Sequence, residues 1–207
     1  MKILRISDVG HQSAAEEAAR ILEGGGIVLY PTDTLYGLGV DIQNTGALER
    51  LRALKGRERR KPVSVVVATI EELHAHAHLH EGADALVRKH LPGALTLVVK
   101  ARSHIPEEVT LNGAVGMRIP NDSFVQALAQ AFNKPFTATS ANLSGHTPRS
   151  TPMDIIVAMG PRIELIDLVV DDGPREGGQA STVVLYTGDV PLVLRDGALS
   201  REELGIE

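Results

Sequence analysis

VSVVVA, residues 63–68, is an unbroken β-branched run that reads as a strand covered on both faces. IVLY (27–30) reads as a second buried strand, and Ile3–Ile6 as an earlier one. Between these two, Ser13 can cap a helix with Glu16 and Glu17 in its first turn, where acids suit the helix dipole. Its apolar stripe is Ala18, Ile21 and Leu22, and Gly24-Gly25-Gly26 ends it. After IVLY comes a loop, PTDTLYGLG (31–39), then a helix opened by Asn44 or Thr45 with Leu48, Leu51 and Leu54 facing inward. Beyond VSVVVA, the pattern predicts helices near 70–79 and 82–91, stopped by Pro92-Gly93, and strands at 94–101 and 115–120. A helix at 123–132, a short strand at 136–139 and a helix near 153–159 follow, with strands at 166–172, 181–186 and 191–197. Strands alternating with helices predict one α/β domain over residues 1–207. The last third is strand-rich without long helices between, which predicts a mixed parallel and antiparallel sheet.

The chain has 207 residues and a formal charge of −5, so it does not coat nucleic acid by bulk charge. That sum hides an uneven distribution. Residues 50–61 (RLRALKGRERRK) carry a local +6, leaving −11 for the rest. The absence of cysteine excludes disulfides, thiolate metal sites and cysteine nucleophiles. No signal pattern opens the sequence, and no apolar run approaches the ~20 residues of a membrane span. The expectation is a soluble, cytoplasmic protein with no membrane partner.

Standard nucleotide labels fail. There is no G-x-x-x-x-G-K-[ST], YGLGV lacks the third glycine of a dinucleotide fingerprint, and no G-x-S-x-G elbow occurs. His74, His76, His78 and His80 form two i,i+4 pairs if helical, but at ~100° per residue the pairs diverge too far to share one ion. They read as an exposed face, and no metal site is expected. The basic island leaves three readings open: a solvated helix end, an RNA patch, or a polyphosphate site where Lys55 and Arg57 aim at one anion. With aromatics at 3%, stacking platforms for single-stranded RNA are scarce. SANLSG (140–145) is either an ordinary Asx/Ser turn or one that turns Ser140, Asn142 and backbone N–H groups toward phosphate. PTDTLYGLG is either a plain turn or a ligand-facing loop offering Thr32, Asp33, Thr34 and Tyr36.

Taken in order, YPTDTLYGLG, KGR, KPVSVVV, PGALTLVV, VGMRIP, TSANLSG and STVV resemble the YrdC-like threonylcarbamoyl-AMP synthase family over about residues 10–197. The family's K-x-R and S-x-N signature matches Lys55, Arg57, Ser140 and Asn142, the implied catalytic set. The resemblance implies a twisted mixed sheet around a concave, positively charged cavity. It also implies synthesis of L-threonylcarbamoyl-adenylate and pyrophosphate from L-threonine, bicarbonate (or CO2) and ATP. The product would pass to the tRNA threonylcarbamoyl-transferase machinery. ATP would be bound by Lys55, Arg57, Lys61, Ser140, Asn142 and Arg195, with Mg2+ carried on the triphosphate. Threonine would be bound by Thr34, Arg118, the backbone at Ala138, and Ser181.

Such chemistry needs positioning and charge neutralisation rather than a protein nucleophile, in keeping with the missing elbow and cysteine. Two departures from the family pattern stand out. Glu58-Arg59-Arg60 replaces the usual proline stretch, leaving Arg59 and Arg60 unassigned beside Arg50 and Arg52, and Ala114 stands where some members carry a hydroxyl. The sequence stops soon after Arg195, so the short, single-domain form is expected. The alternative function is a tRNA- or double-stranded-RNA-binding module of the same fold without synthase activity. A carbamoyl-adenylate-forming domain of the hydrogenase-maturation type is a third reading.

Overall fold

In chain order the strands are β1 (Lys2–Arg5), β2 (Val28–Tyr30), β3 (Gly37–Gly39), β4 (Val65–Val66), β5 (Ala77–His78) and β6 (Leu95–Ala101). They continue as β7 (Ala114–Arg118), β8 (Phe136–Thr137), β9 (Thr139–Ser140), β10 (Leu168–Asp171), β11 (Thr182–Leu185) and β12 (Leu192–Arg195). The helices are α1 (Ile6–Glu23), α2 (Thr45–Lys55), α3 (Ile70–His76), α4 (Glu81–His90), α5 (Ser123–Phe132), α6 (Pro152–Met159) and α7 (Arg201–Leu204). This computed structural model describes residues 1–56, 61–175 and 178–206.

Hydrogen bonding sorts these strands into two mixed sheets where the sequence predicts one. The first runs β1-β10-β2-β3-β9, parallel across β1, β10 and β2 and antiparallel beyond. The second runs β12-β11-β6-β7-β4-β8, with β5 also on β6. Within it, β11/β6 and β7/β4 are parallel pairs. One segment joins the sheets. Phe136 and Thr137 pair with β4 in the second sheet, while Thr139 and Ser140 pair with β3 in the first. Between them the Ala138 N–H donates to the Ser64 carbonyl at 2.7 Å. The strand expected at 136–139 therefore divides at Ala138, where the chain changes partners.

Side chains alternate along a strand, so a strand buried on both faces feeds two cores. Leu29, Val65 and Val169 enter one core, and their neighbours Val28, Tyr30, Val66, Leu168 and Val170 enter the other. The second core is closed by α1 and α5 through Ala14, Ala18, Leu22, Phe124, Leu128 and Phe132. Burying each large aliphatic or aromatic side chain contributes about 1.5–3 kcal/mol.

Several predicted boundaries shift. α1 begins at Ile6, well before Ser13, with a kink at Gly10 (φ 79°) that only glycine adopts cheaply. GLG (37–39), read as loop, is the strand β3. A Cβ on Gly37 or Gly39 would stand 3.1 or 2.9 Å from the Tyr30 ring, so glycine here permits close packing rather than a turn. The histidine run is not one helix: α3 ends at His76, His78 lies in β5, and His80 caps α4. His74 Nε2 is 2.6 Å from Asp84 Oδ1, and His76 Nδ1 is 2.8 Å from His104 Nε2. Among the described residues, no helix is long and apolar enough to cross a membrane.

Candidate active site

The loop after β2 is shaped by a threonine. Thr32 Oγ1 accepts from the N–H groups of Thr34 (3.1 Å) and Leu35 (3.2 Å) and donates to the Leu35 carbonyl at 2.6 Å. This tight turn presents Asp33 and Thr34 to Arg118, the last residue of β7. Arg118 Nη2 donates to Asp33 Oδ1 at 2.6 Å and to Thr34 Oγ1 at 3.4 Å. Asp33 Oδ2 accepts from the Asn121 N–H at 3.0 Å. The Arg118 and Asp33 side chains are only 8% and 11% exposed, so the pair acts at low dielectric, where losing one partner costs most. Arg118 Nε is buried with no hydrogen-bond partner among the described residues.

A cavity of about 170 Å3 opens over this pair, lined by Thr34, Tyr36, Ser64, Thr96, Arg118, Ala138, Ser140, Ser181 and Arg195. Thr96 and Ser181 share a hydroxyl hydrogen bond at 2.8 Å. Arg195 Nη2 donates to the Ser181 carbonyl at 2.7 Å and to its hydroxyl at 3.2 Å. Burial first, then the positive charge of Arg118, push the Arg195 guanidinium below its ordinary pKa. Two guanidinium groups that disfavour each other across a cavity both gain from an anion placed between them. Tyr36, raised to about 12 chiefly by burial, stays a neutral phenol that donates to the Gly173 carbonyl at 2.8 Å.

A larger cavity of about 730 Å3 adjoins the first and shares Pro62, Ser64, Thr96 and Arg195 with it. Its floor is mostly apolar, from Val98, Val183, Leu185 and Leu194, with Lys100 at one side.

The Ser140 turn also borders the smaller cavity. Lys55, the last residue of α2 and 2% exposed, donates from Nζ to the Asn142 carbonyl at 2.9 Å and to that of Ser140. Ser140 Oγ donates to Asn142 Oδ1 at 2.5 Å. Asn142 Nδ2 donates to the carbonyls of Leu143 (2.9 Å) and His146 (2.6 Å). Lys55, Ser140 and Asn142 are therefore brought together, as their spacing in the family pattern implies. Asn142 itself lines a separate cavity of about 300 Å3 with His146 and Arg149. Arg57, expected beside Lys55, lies outside the described residues, as do Arg59 and Arg60. Lys61 is exposed and lines none of these cavities.

Thr34, Arg118, Ala138, Ser181 and Arg195 converge on one cavity. The sequence reading includes Asp33 among the loop donors but misses its pairing with Arg118, and it misses Ser64 and Thr96 altogether. Arg50 and Arg52, unassigned in the sequence, are structural pins. Arg50 binds the carbonyls of Gly25 and Leu165 at 3.0 Å each and Asp167 at 2.9 Å. Arg52 binds the Glu108 carbonyl at 2.5 Å.

The fold and the joined cavities define a two-sheet α/β protein with a small polar pocket, bordered by two arginines, opening into a larger apolar one. The chain belongs to the Sua5/YciO/YrdC family, whose model, described as telomere recombination, matches residues 20–197. It is 34% identical over 189 residues to a putative threonylcarbamoyl-AMP synthase of Mycobacterium tuberculosis (strain CDC 1551 / Oshkosh), covering 90% of this chain and 85% of the relative. Among solved structures, P. abyssi Sua5 complexed with L-threonine superposes with a TM-score of 0.88 at 29% identity, over 98% of this chain and 59% of that one. The chain thus spans little more than half of that Sua5. E. coli YciO superposes with a TM-score of 0.85 at 28% identity, covering 93% of each chain.

Proposed function

We propose that this protein is an L-threonylcarbamoyladenylate synthase working in the cytoplasm. The observation that carries the reading is the Thr34–Arg118 pocket, sized for an amino acid and sharing a wall with a cavity large enough for a nucleotide. The threonine complex of a Sua5 with the same fold supports it.

In this reading, the threonine carboxylate lies against the Arg118 guanidinium, with Thr34, Ser181 and the backbone at Ala138 completing its contacts. The neutral amine adds to CO2 to give a carbamate, forming the N–C bond as a C=O π bond opens and the N–H proton passes to solvent. Starting from bicarbonate, a C–O bond breaks and water leaves. A carbamate oxygen then attacks the α-phosphorus of ATP, forming the O–P bond as the bond to the β-phosphate oxygen breaks and pyrophosphate leaves. The reaction needs alignment and charge neutralisation more than covalent help from the protein. Arg195, on the wall common to both cavities, stands where the two substrates meet. Lys55, Arg57, Lys61, Ser140 and Asn142 are assigned to the phosphates, Ser140 from the wall of the smaller cavity and Asn142 from that of the separate cavity of about 300 Å3. The triphosphate would thus extend from the larger cavity along the Ser140 turn.

ATP enters as its Mg2+ complex. The described residues lining the three cavities offer hydroxyl, amide, ammonium and guanidinium groups and no carboxylate, a donor set suited to phosphate. The adenylate then passes to a tRNA threonylcarbamoyl transferase. The test is pyrophosphate release by the purified protein with L-threonine, bicarbonate and MgATP. Release should require all three, and release independent of threonine contradicts the assignment. Steeply salt-dependent RNA binding with no adenylate formed would instead favour the RNA-binding alternative.

A further inference from the structure

The segment leaving β10 crosses Tyr36 and is fastened there by Arg175, a residue to which neither sequence nor chemistry assigns a role. Arg175 Nη2 reaches Asp172 at 2.6 Å and Asp122 at 3.4 Å, and its guanidinium carbon lies 5.9 Å from the Tyr36 ring centroid. Its backbone N–H donates to the Ser150 carbonyl at 2.8 Å. The Arg175 and Asp122 side chains are 20% and 12% exposed, so this is not a solvated surface pair. Asp122 also caps α5, accepting from the Val125 N–H at 3.1 Å. One residue earlier, the Asn121 N–H donates to Asp33, the carboxylate that holds Arg118. From Arg175, polar contacts and one peptide step thus lead to the floor of the amino-acid pocket.

The same segment meets the pocket again at Gly178. A Cβ there would lie 1.9 Å from the Thr34 carbonyl oxygen, so this backbone rests directly on the loop that presents Thr34. Arg175 is fixed on the Tyr36 side, and Gly178 separately abuts Thr34.

We propose that Arg175, clamped by Asp122 and Asp172, is a positioning residue that sets the placement of Thr34 and so tunes affinity for the amino-acid substrate. It touches no substrate, and its effect runs through Asp122 and the neighbouring Asn121 N–H to Asp33, which precedes Thr34 in the loop. The inference rests on the synthase reading for the identity of the amino acid.

The experiment is calorimetric titration of L-threonine, and separately of a non-hydrolysable ATP analogue, into wild type and R175A, R175K and D122N, with steady-state kinetics alongside. R175A should raise the threonine Kd and KM about tenfold, the scale of one charged hydrogen bond, with kcat and analogue affinity within about twofold. R175K keeps one ammonium for Asp172 and should recover part of that loss. D122N keeps a capping side chain and should lose a few-fold in threonine affinity. A purely structural role would lower thermal stability and active fraction without separating the two ligands. Folded R175A with wild-type threonine affinity, or equal losses for both ligands, overturns the proposal. If R175A does not fold, unchanged threonine affinity in R175K and D122N does so. Wild type that binds no threonine overturns the synthase reading and this inference with it. Wild type that binds threonine beside an unaffected R175A overturns this inference alone.

Discussion

The two polar regions of the cavity are built in opposite ways. On the amino-acid side, Arg118 is held by Asp33 and Thr34 from a different strand connection, and its Nε has no partner among the described residues. On the Ser140 side, Ser140 and Asn142 bond each other within one turn, and Lys55 from the end of α2 bonds the turn's carbonyls. The first region is oriented before any ligand arrives. The second is a closed knot in which, on the proposed reading, a phosphate would exchange existing bonds for new ones, each exchange worth about 1 kcal/mol net. On the proposed synthase reading, the amino acid would meet a fixed site and the triphosphate one that reorganises.

Removing Arg118 should do the greatest damage. R118A strands the Asp33 carboxylate in a nearly buried position, which should cost about 3–5 kcal/mol in chemical denaturation and abolish threonine binding in any folded fraction. An R118A protein with near-normal stability would mean that the amino-acid side is not pre-built. K55A strikes the other region: turnover should fall about 100-fold or more, while the threonine Kd stays within about twofold. Equal losses in both would erase the distinction between the regions. S140A frees Asn142 from its hydroxyl donor and should change the KM for ATP by a few-fold, leaving threonine untouched.

The smallest effect belongs to a pair remote from both regions. Asp84 is held below its ordinary pKa, first by the hydrogen bond from Arg88. A depressed folded pKa gives stability that is present above the unfolded value of 3.8 and lost as pH falls through the folded one. Because Arg88 is 60% exposed, solvent screening leaves only a small part of that stabilisation. D84N should therefore melt slightly earlier than wild type at neutral pH, converge with it in acid, and leave both KM values alone.

Local signals were legible wherever the physics is local. The Asn44 cap, the helix at 123–132 and the strands at 27–30 and 94–101 follow from period and capping, and all are present. The motif order also marked Thr34, Arg118, Ser181 and Arg195, which share one cavity. What depends on distant partners was not legible. β3 looks like loop because its glycines answer to the Tyr30 ring, several residues before them. Two sheets instead of one follow from the partner change at Ala138, which no periodicity encodes. Arg50 and Arg52 looked equivalent to Lys55 in a charge count, yet backbone carbonyls from distant segments hold them. Asp33 and Arg118 are 85 residues apart, so their pairing emerges only when β7 passes the loop after β2.

The most direct test is product identity. Wild-type protein would be incubated with [13C]bicarbonate, [15N]threonine and MgATP, and the nucleotide products read by mass spectrometry. A single adenylate carrying both labels, formed in equal amount with pyrophosphate, is the predicted result. ADP and phosphate, or an adenylate without either label, would contradict it.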